Sequence, residues 1–205
     1  MKRLVVKNKI AEELKKLQKG SIFFVDHFLD FGNSESVKKA LFRLEEEGLL
    51  IRLAHGIYLY PKKDKHFGIL YPSAEEIAVA IAKRDRARII PTGVQALNKL
   101  GLSTQIPLKV VFLTDGAPRS IKIGKRTITF KKTSPKNLLA KGEISGLAIQ
   151  ALKSIGRNKS GSYRIEDDVL NKLLTILKKE KKEIILHDAK LAPAWINKIL
   201  MSAIK

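Results

Sequence analysis

The chain has no cysteine, which excludes disulfides, thiolate metal sites and thiol nucleophiles. No apolar run approaches the roughly 18 residues needed to cross a bilayer. The opening Met1-Lys-Arg-Leu-Val-Val-Lys-Asn-Lys-Ile10 carries charge too often to be the apolar segment of a signal peptide. Cytoplasmic residence without a membrane partner is therefore the expectation. Aromatic residues make up only 6%, too few for the stacking platforms of single-strand RNA readers. Acids are also scarce, with 20 Asp+Glu against 40 Lys+Arg, a net charge of +20. A surplus of this size favours a polyanionic partner, nucleic acid before membrane or acidic protein.

What is present suffices for one large or two small folded domains in 205 residues, 44% of them hydrophobic. Residues 1–66 hold 14 basic and 9 acidic residues, net +5, whereas residues 67–205 carry +15. A DNA-binding head with an inert tail does not predict that split, so the second part is expected to meet a polyanion too.

Val6, Ile10, Leu14 and Leu17 recur at helical spacing, so a first helix with one apolar stripe should stop at Gly20. Ser21 to Asp30 reads as a short apolar helix closed by Gly32-Asn33. Ser34 to Gly48 reads as a third helix with a cap at each end, Asn33 or Ser34 at the start. Val37, Leu41 and Leu44 form its inward stripe, with Lys38, Lys39 and Arg43 on or near the outward side. Leu49 to Leu53 turns through Ala54-His55-Gly56 into Ile57-Tyr-Leu-Tyr60. Helix, turn, helix and hairpin in this order predict a winged helix-turn-helix over residues 1–66, an architecture that places one helix in a major groove.

Within that unit the expected DNA-contacting residues are Ser34, Ser36, Lys38, Lys39 and Arg43 on the helix, and Arg52 and His55 at the wing. The run Glu45-Glu46-Glu47 repels phosphate and favours docking by the N-terminal half of the helix. Tyr58 and Tyr60 are read as packing residues.

Pro61-Lys-Lys-Asp-Lys-His66 is polar and led by proline, the expected exit to a second, mixed α/β domain over residues 67–205. Ser73-x-x-Glu76 predicts a helix start. Strands are expected at 87–91 and 108–113, with a helix over 92–100. A hairpin is expected at Arg119–Ile123 and Arg126–Phe130 around Gly124-Lys125, its buried face Ile121, Ile123, Ile128 and Phe130. From about residue 135 the pattern is helical, over 135–141, 143–155, 166–179 and 190–203, with a basic loop at Gly156–Gly161. The fold class is thus α+β, with a basic β-hairpin and a helical C-terminal end.

The hairpin is the second candidate constellation. Eight cations and one acid between Lys109 and Lys136 leave +7 over 28 positions, whereas a solvated sheet face usually mixes signs. Lys122, Lys125, Arg126 and Lys131 form a second basic face that extends a DNA footprint or holds an RNA or an acidic protein. Catalytic signals are weak. His27, His55, His66 and His187 lack metal-ligand spacing, Glu166-Asp-Asp168 opens a helix where acids suit the dipole, and Thr114-Asp115-Gly116 is explained by a turn. Trp195 is read as the packing anchor of the last helix. No cofactor or metal is expected, and no enzymatic activity.

His55-Gly-Ile-Tyr58-Leu-Tyr60-Pro61, Pro91-Thr-Gly93, Gly101-Leu-Ser-Thr-Gln-Ile-Pro107, Val111-Phe-Leu-Thr-Asp115-Gly116 and the hairpin motif Arg119 to Lys131 together give a family resemblance. Over residues 1–155 the chain resembles the AbiEi-type antitoxins, the transcriptional-regulator half of type IV (abortive-infection) toxin–antitoxin pairs. The resemblance implies a repressor that binds inverted repeats in its own promoter. It also implies a C-terminal domain that counteracts a nucleotidyltransferase-like toxin. The alternatives are a stand-alone winged-helix regulator, an RNA-binding protein and a nucleic-acid enzyme.

Overall fold

The computed structural model describes residues 2–105, 107–156 and 165–204. Residues 157–161 of the expected basic loop, and Ile106 of the Gly101–Pro107 motif, lie outside them. The architecture is mixed α+β and divides into two compact units, residues 1–81 with 122–124, and residues 82–121 with 125–205.

In the first unit α1 (Lys2–Lys16) carries the expected stripe, burying Val6, Ile10 and Leu14. The segment read as one apolar helix is instead a strand, β1 (Ile22–Phe24), followed by a 3-10 helix over Val25–Phe31. The physical reason is a tertiary partner. Ile22, Phe23 and Phe24 are β-formers, and they pair with Leu59, Tyr58 and Ile57. The remaining stretch supports only tight 3-10 turns.

Next come α2 (Ser34–Glu46), β2 (Ile51–Ala54) and β3 (Ile57–Leu59), the strands ordered β1-β3-β2 and all antiparallel. The β2–β3 register shifts between Arg52 and Ala54, a bulge at the hairpin's outer edge. Gly56, at φ +72°, allows the turn after His55. The core of the unit gathers Ile10 and Leu14 with Phe28, Val37, Leu41, Leu44, Leu50 and Tyr58. Tyr58 and Tyr60 are both buried.

Where a polar exit was expected, β4 (Lys62–Asp64) and β5 (Gly68–Leu70) make a two-stranded ribbon. The Asp64 carboxylate accepts from the His66 and Phe67 backbone N–H groups and so supplies the turn. Helix α3 (Ala74–Arg84) opens on a full capping box. Ser73 N donates to Glu76 Oε2 at 2.7 Å and Glu76 N to Ser73 Oγ at 3.1 Å.

After α3 come β6 (Ile89–Pro91), α4 (Val94–Lys99), β7 (Lys109–Thr114), β8 (Arg119–Ile123) and β9 (Arg126–Lys132), the sheet ordered β6-β7-β9-β8. The central pair β7 and β9 is parallel, setting Val110 beside Ile128 and Phe112 beside Phe130. Ile128 and Phe130 are buried as expected, but Ile121 and Ile123 are only half-buried, because β8 lies at the sheet edge.

The helices that follow are α5 (Glu143–Ile155), α6 (Asp167–Leu177), α7 (Lys182–Ala189) and α8 (Ala194–Ser202). The expected helix over 135–141 contracts to a 3-10 turn at Pro135–Leu138. Helix α7 was not anticipated, since consecutive Ile184-Ile185-Leu186 carries little helical periodicity. The last helix begins at Ala194 rather than at 190, with Pro193 at its N-cap. Trp195 packs against the apolar cluster of this unit.

Helix α5 is the hub, buried continuously from Ser145 to Leu152. Its N-terminal N–H groups are satisfied by carboxylates from elsewhere in the chain. Asp188 accepts from Lys141 N and Gly142 N, both at 2.9 Å, and from Ser145 Oγ at 2.6 Å. Glu180 accepts from Ile144 N at 3.0 Å and Ser145 N at 2.9 Å. A Cβ on Gly142 would lie 2.2 Å from Ser145 Oγ and 2.4 Å from a Glu180 carboxylate oxygen.

Gly142→Ala should therefore break this cap and cost about 1–3 kcal/mol in chemical denaturation. Burial pushes the Asp188 carboxyl up, but donation from Ser145, His187 and the two backbone N–H groups outweighs it and holds the group below its ordinary value. Its stabilisation is thus present above the unfolded carboxyl range, about pH 4, and is lost as pH falls through the lower folded value. Asp188→Asn should flatten this acid limb in a stability–pH titration.

Candidate nucleic-acid interface

Helix α2 is closed at both ends by its own sequence. The Asn33 side chain accepts from Ser36 N at 2.9 Å, which settles the N-cap on Asn33. At the other end Gly48 takes φ +71°, and Leu49 N and Gly48 N donate to Leu44 O and Glu45 O, both at 2.9 Å. This is a Schellman closure. Burial of Val37, Ala40, Leu41 and Leu44 fixes the rotation of the helix, so Ser34, Lys38, Lys39 and Arg43 are exposed and Ser36 is half-buried.

The cations on this face differ in their engagement. Lys39 is bound to Glu35 one turn earlier on the same helix, an exposed pair worth only about 0.3–0.5 kcal/mol. Lys38 and Arg43 have no carboxylate partner among the described residues. Of the three glutamates at the far end, Glu47 pairs with Lys7 of α1 at 2.5 Å. Phe42, which sequence reading passed over, is 52% exposed and lies among Lys38, Lys39, Arg43 and Glu46 in a shallow depression. Its signal was visible as an apolar residue on the polar side of an otherwise amphipathic helix.

At the neighbouring hairpin Arg52 and His55 are both exposed. The Arg52 guanidinium donates to His55 Nδ1 at 3.0 Å, which leaves the imidazole's N–H on Nε2.

The β8–β9 hairpin turns at Gly124-Lys125, with Gly124 at φ +56°. Ser120 Oγ and Thr129 Oγ1 face each other at 3.0 Å, so Lys122 and Lys131 lie on the same outward side by alternation. Arg126 falls on the side of Ile128 and Phe130, exposed only because it sits beside the turn. Lys125 is exposed at the turn itself. Arg119 pairs with Asp85 and lies over the Phe130 ring, 5.5 Å from its centroid. Asp115, the lone acid of this stretch, is taken by Arg88, whose backbone N and Nε both donate to it at 2.8 Å. Donation from the Arg88 side chain and then its backbone holds the Asp115 carboxyl below its ordinary value. Among the described residues Lys109, Lys122, Lys125, Arg126, Lys131, Lys132 and Lys136 have no ion pair.

One cluster mimics a hydrolytic site. His187 Nδ1 lies 2.7 Å from Asp188, and Ser145 Oγ donates to the same carboxylate. The hydroxyl is wholly buried and bonded to the acid, with the imidazole on the carboxylate's other oxygen. The imidazole therefore does not face the hydroxyl, and the trio caps a helix rather than activating a nucleophile. Among the described residues no group of three or more His, Cys, Asp or Glu could hold a metal ion. No helix there is long and apolar enough to cross a membrane.

No curated protein matches the sequence. Residues 9–185 match the model of a family described as "Family of unknown function (DUF6088)". That match spans both units and most of the chain, and the protein belongs to this family.

Proposed function

We propose that the chain is a cytoplasmic, sequence-specific DNA-binding repressor whose first unit is a winged helix-turn-helix. Helix α2 enters the major groove, and the β2–β3 hairpin with Arg52 and His55 steadies the duplex through phosphate or minor-groove contact. The observation that carries this reading is the outward side of α2, where Lys38 and Arg43 stand exposed with no carboxylate partner among the described residues while the apolar side is locked in the core. Lys39 can exchange its weak bond to Glu35 for a phosphate at little cost. The resemblance to AbiEi-type antitoxins extends the proposal. The protein would autoregulate an inverted repeat in its promoter and counteract a nucleotidyltransferase-like toxin, with the lysines of the β8–β9 hairpin, which have no ion pair among the described residues, contributing to the polyanion or toxin contact.

Fluorescence anisotropy with the chain's own upstream DNA tests the first part. Arg43→Ala should weaken binding by roughly 1–3 kcal/mol where the contact is to a base. Lys38→Ala should reduce the slope of log affinity against log salt by about 0.9 if it neutralises one phosphate. Unchanged affinity and slope in both variants would remove α2 from the interface. The second part predicts a nucleotidyltransferase-like protein encoded beside this chain, and co-expression of the wild-type chain should rescue cells from it; absence of rescue would remove the antitoxin role.

Phe42 suits an apolar contact with a thymine methyl. Replacing thymidine by deoxyuridine along the operator should cost about 0.8 kcal/mol, roughly fourfold, at one position. Phe42→Ala should be insensitive to that replacement.

A further inference from the structure

The second unit contains an open-mouthed cavity of about 680 Å³ whose walls include Thr92, Leu113, Asn137, Gln150, Lys153 and Trp195. That volume lies in the range of small-molecule sites. Two of its polar groups are out of keeping with a purely structural wall. Gln150 is only 3% exposed, yet its amide makes no hydrogen bond among the described residues. Every fully enclosed polar side-chain atom there has a partner, and Gln150 lines this cavity together with a small adjoining pocket that also borders Lys136. A buried amide held this way is costly unless something answers it.

The second group is Lys153, one turn further along α5. Its ammonium donates to Asn137 Oδ1 at 2.9 Å, and it has no carboxylate partner among the described residues. Asn137 is held in turn by donating to Thr133 Oγ1 at 2.7 Å, so its oxygen is already aimed at the lysine. Burial and then the nearby charge of Lys136 push the Lys153 ammonium below its ordinary value. Lys136 and Lys153 both line the small pocket that adjoins the cavity, and no acid among the described residues lines either space, which favours an anion there.

We propose that this cavity binds a small phosphorylated ligand with a planar hydrogen-bonding ring, of which a nucleoside monophosphate is the simplest. The phosphate sits against Lys153, the donor–acceptor amide of Gln150 meets the ring edge, and Leu113 and Trp195 supply the apolar wall. This ligand site does not depend on the DNA-binding reading.

The chain has one tryptophan, and it lines the cavity, so its fluorescence reports occupancy. Full-length protein is titrated separately with AMP, GMP, CMP and UMP, with inorganic phosphate and the four nucleosides as controls. At least one monophosphate should give a saturable change in the Trp195 signal below millimolar concentration, with the matching nucleoside and phosphate at least tenfold weaker. Lys153→Met should weaken that binding at least tenfold, and Gln150→Leu should alter the preference among the four. Circular dichroism identifies any variant that has lost its fold, and Lys153→Met then stands alone because its side chain is only half-buried. No saturable change with any of the four overturns the proposal. So does binding that survives Lys153→Met unchanged, or phosphate binding as tightly as the nucleotides.

Discussion

Burial of Val37, Leu41 and Leu44 against Ile10, Leu14 and Phe28 is the constraint from which the proposed interface follows. A helix of 13 residues has little stability of its own in water, so the side it buries decides the side it presents. Once that apolar stripe is seated, Lys38, Lys39, Phe42 and Arg43 can only face outward. The caps add to this rather than cause it. Asn33 and Gly48 fix where the helix starts and stops, and so how many of its turns project.

The second unit uses the opposite arrangement. Helix α5 is buried on all sides through its middle, and the N–H groups at its start are buried or part-buried. Their partners are Asp188 of α7 and Glu180 of the turn before it, 35 to 47 positions away in sequence. An unmade hydrogen bond at such depth costs more than a made one contributes, so these two acids hold the helical end of the unit in one arrangement. The same helix leaves the Gln150 amide without a hydrogen bond among the described residues two turns later, beside open volume.

Elements with strong local signals were legible from residues alone. The capping box at Ser73 and Glu76, the stripe of α1 and the Gly124-Lys125 hairpin all stand where spacing puts them. Misreadings arose where a distant partner overrode the local pattern. Ile22-Phe-Phe24 became a strand because β3 was there to pair with it, and the edge position of β8 left Ile121 and Ile123 only half-covered. On the candidate surface, the outward positions of Lys38, Lys39 and Arg43 followed from periodicity, but the bond between Lys39 and Glu35 did not. The seating of Arg119 over Phe130 and against Asp85 depends on sheet order, which no periodicity encodes. The clustering of Gln150, Asn137 and Lys153 around one cavity was likewise invisible, since it joins a 3-10 turn to the middle of a helix.

The bulge between Arg52 and Ala54 has a bearing on how the molecule behaves when crowded. Strand β2 is an outer strand of its sheet, with backbone groups that another chain could copy. The register shift skews that row and sets a guanidinium on it, so an approaching strand finds neither a straight ladder nor a neutral one. An interrupted edge of this kind is a poor template for pairing with a second copy, and the interruption lies in the same few residues that lead into the hairpin's turn.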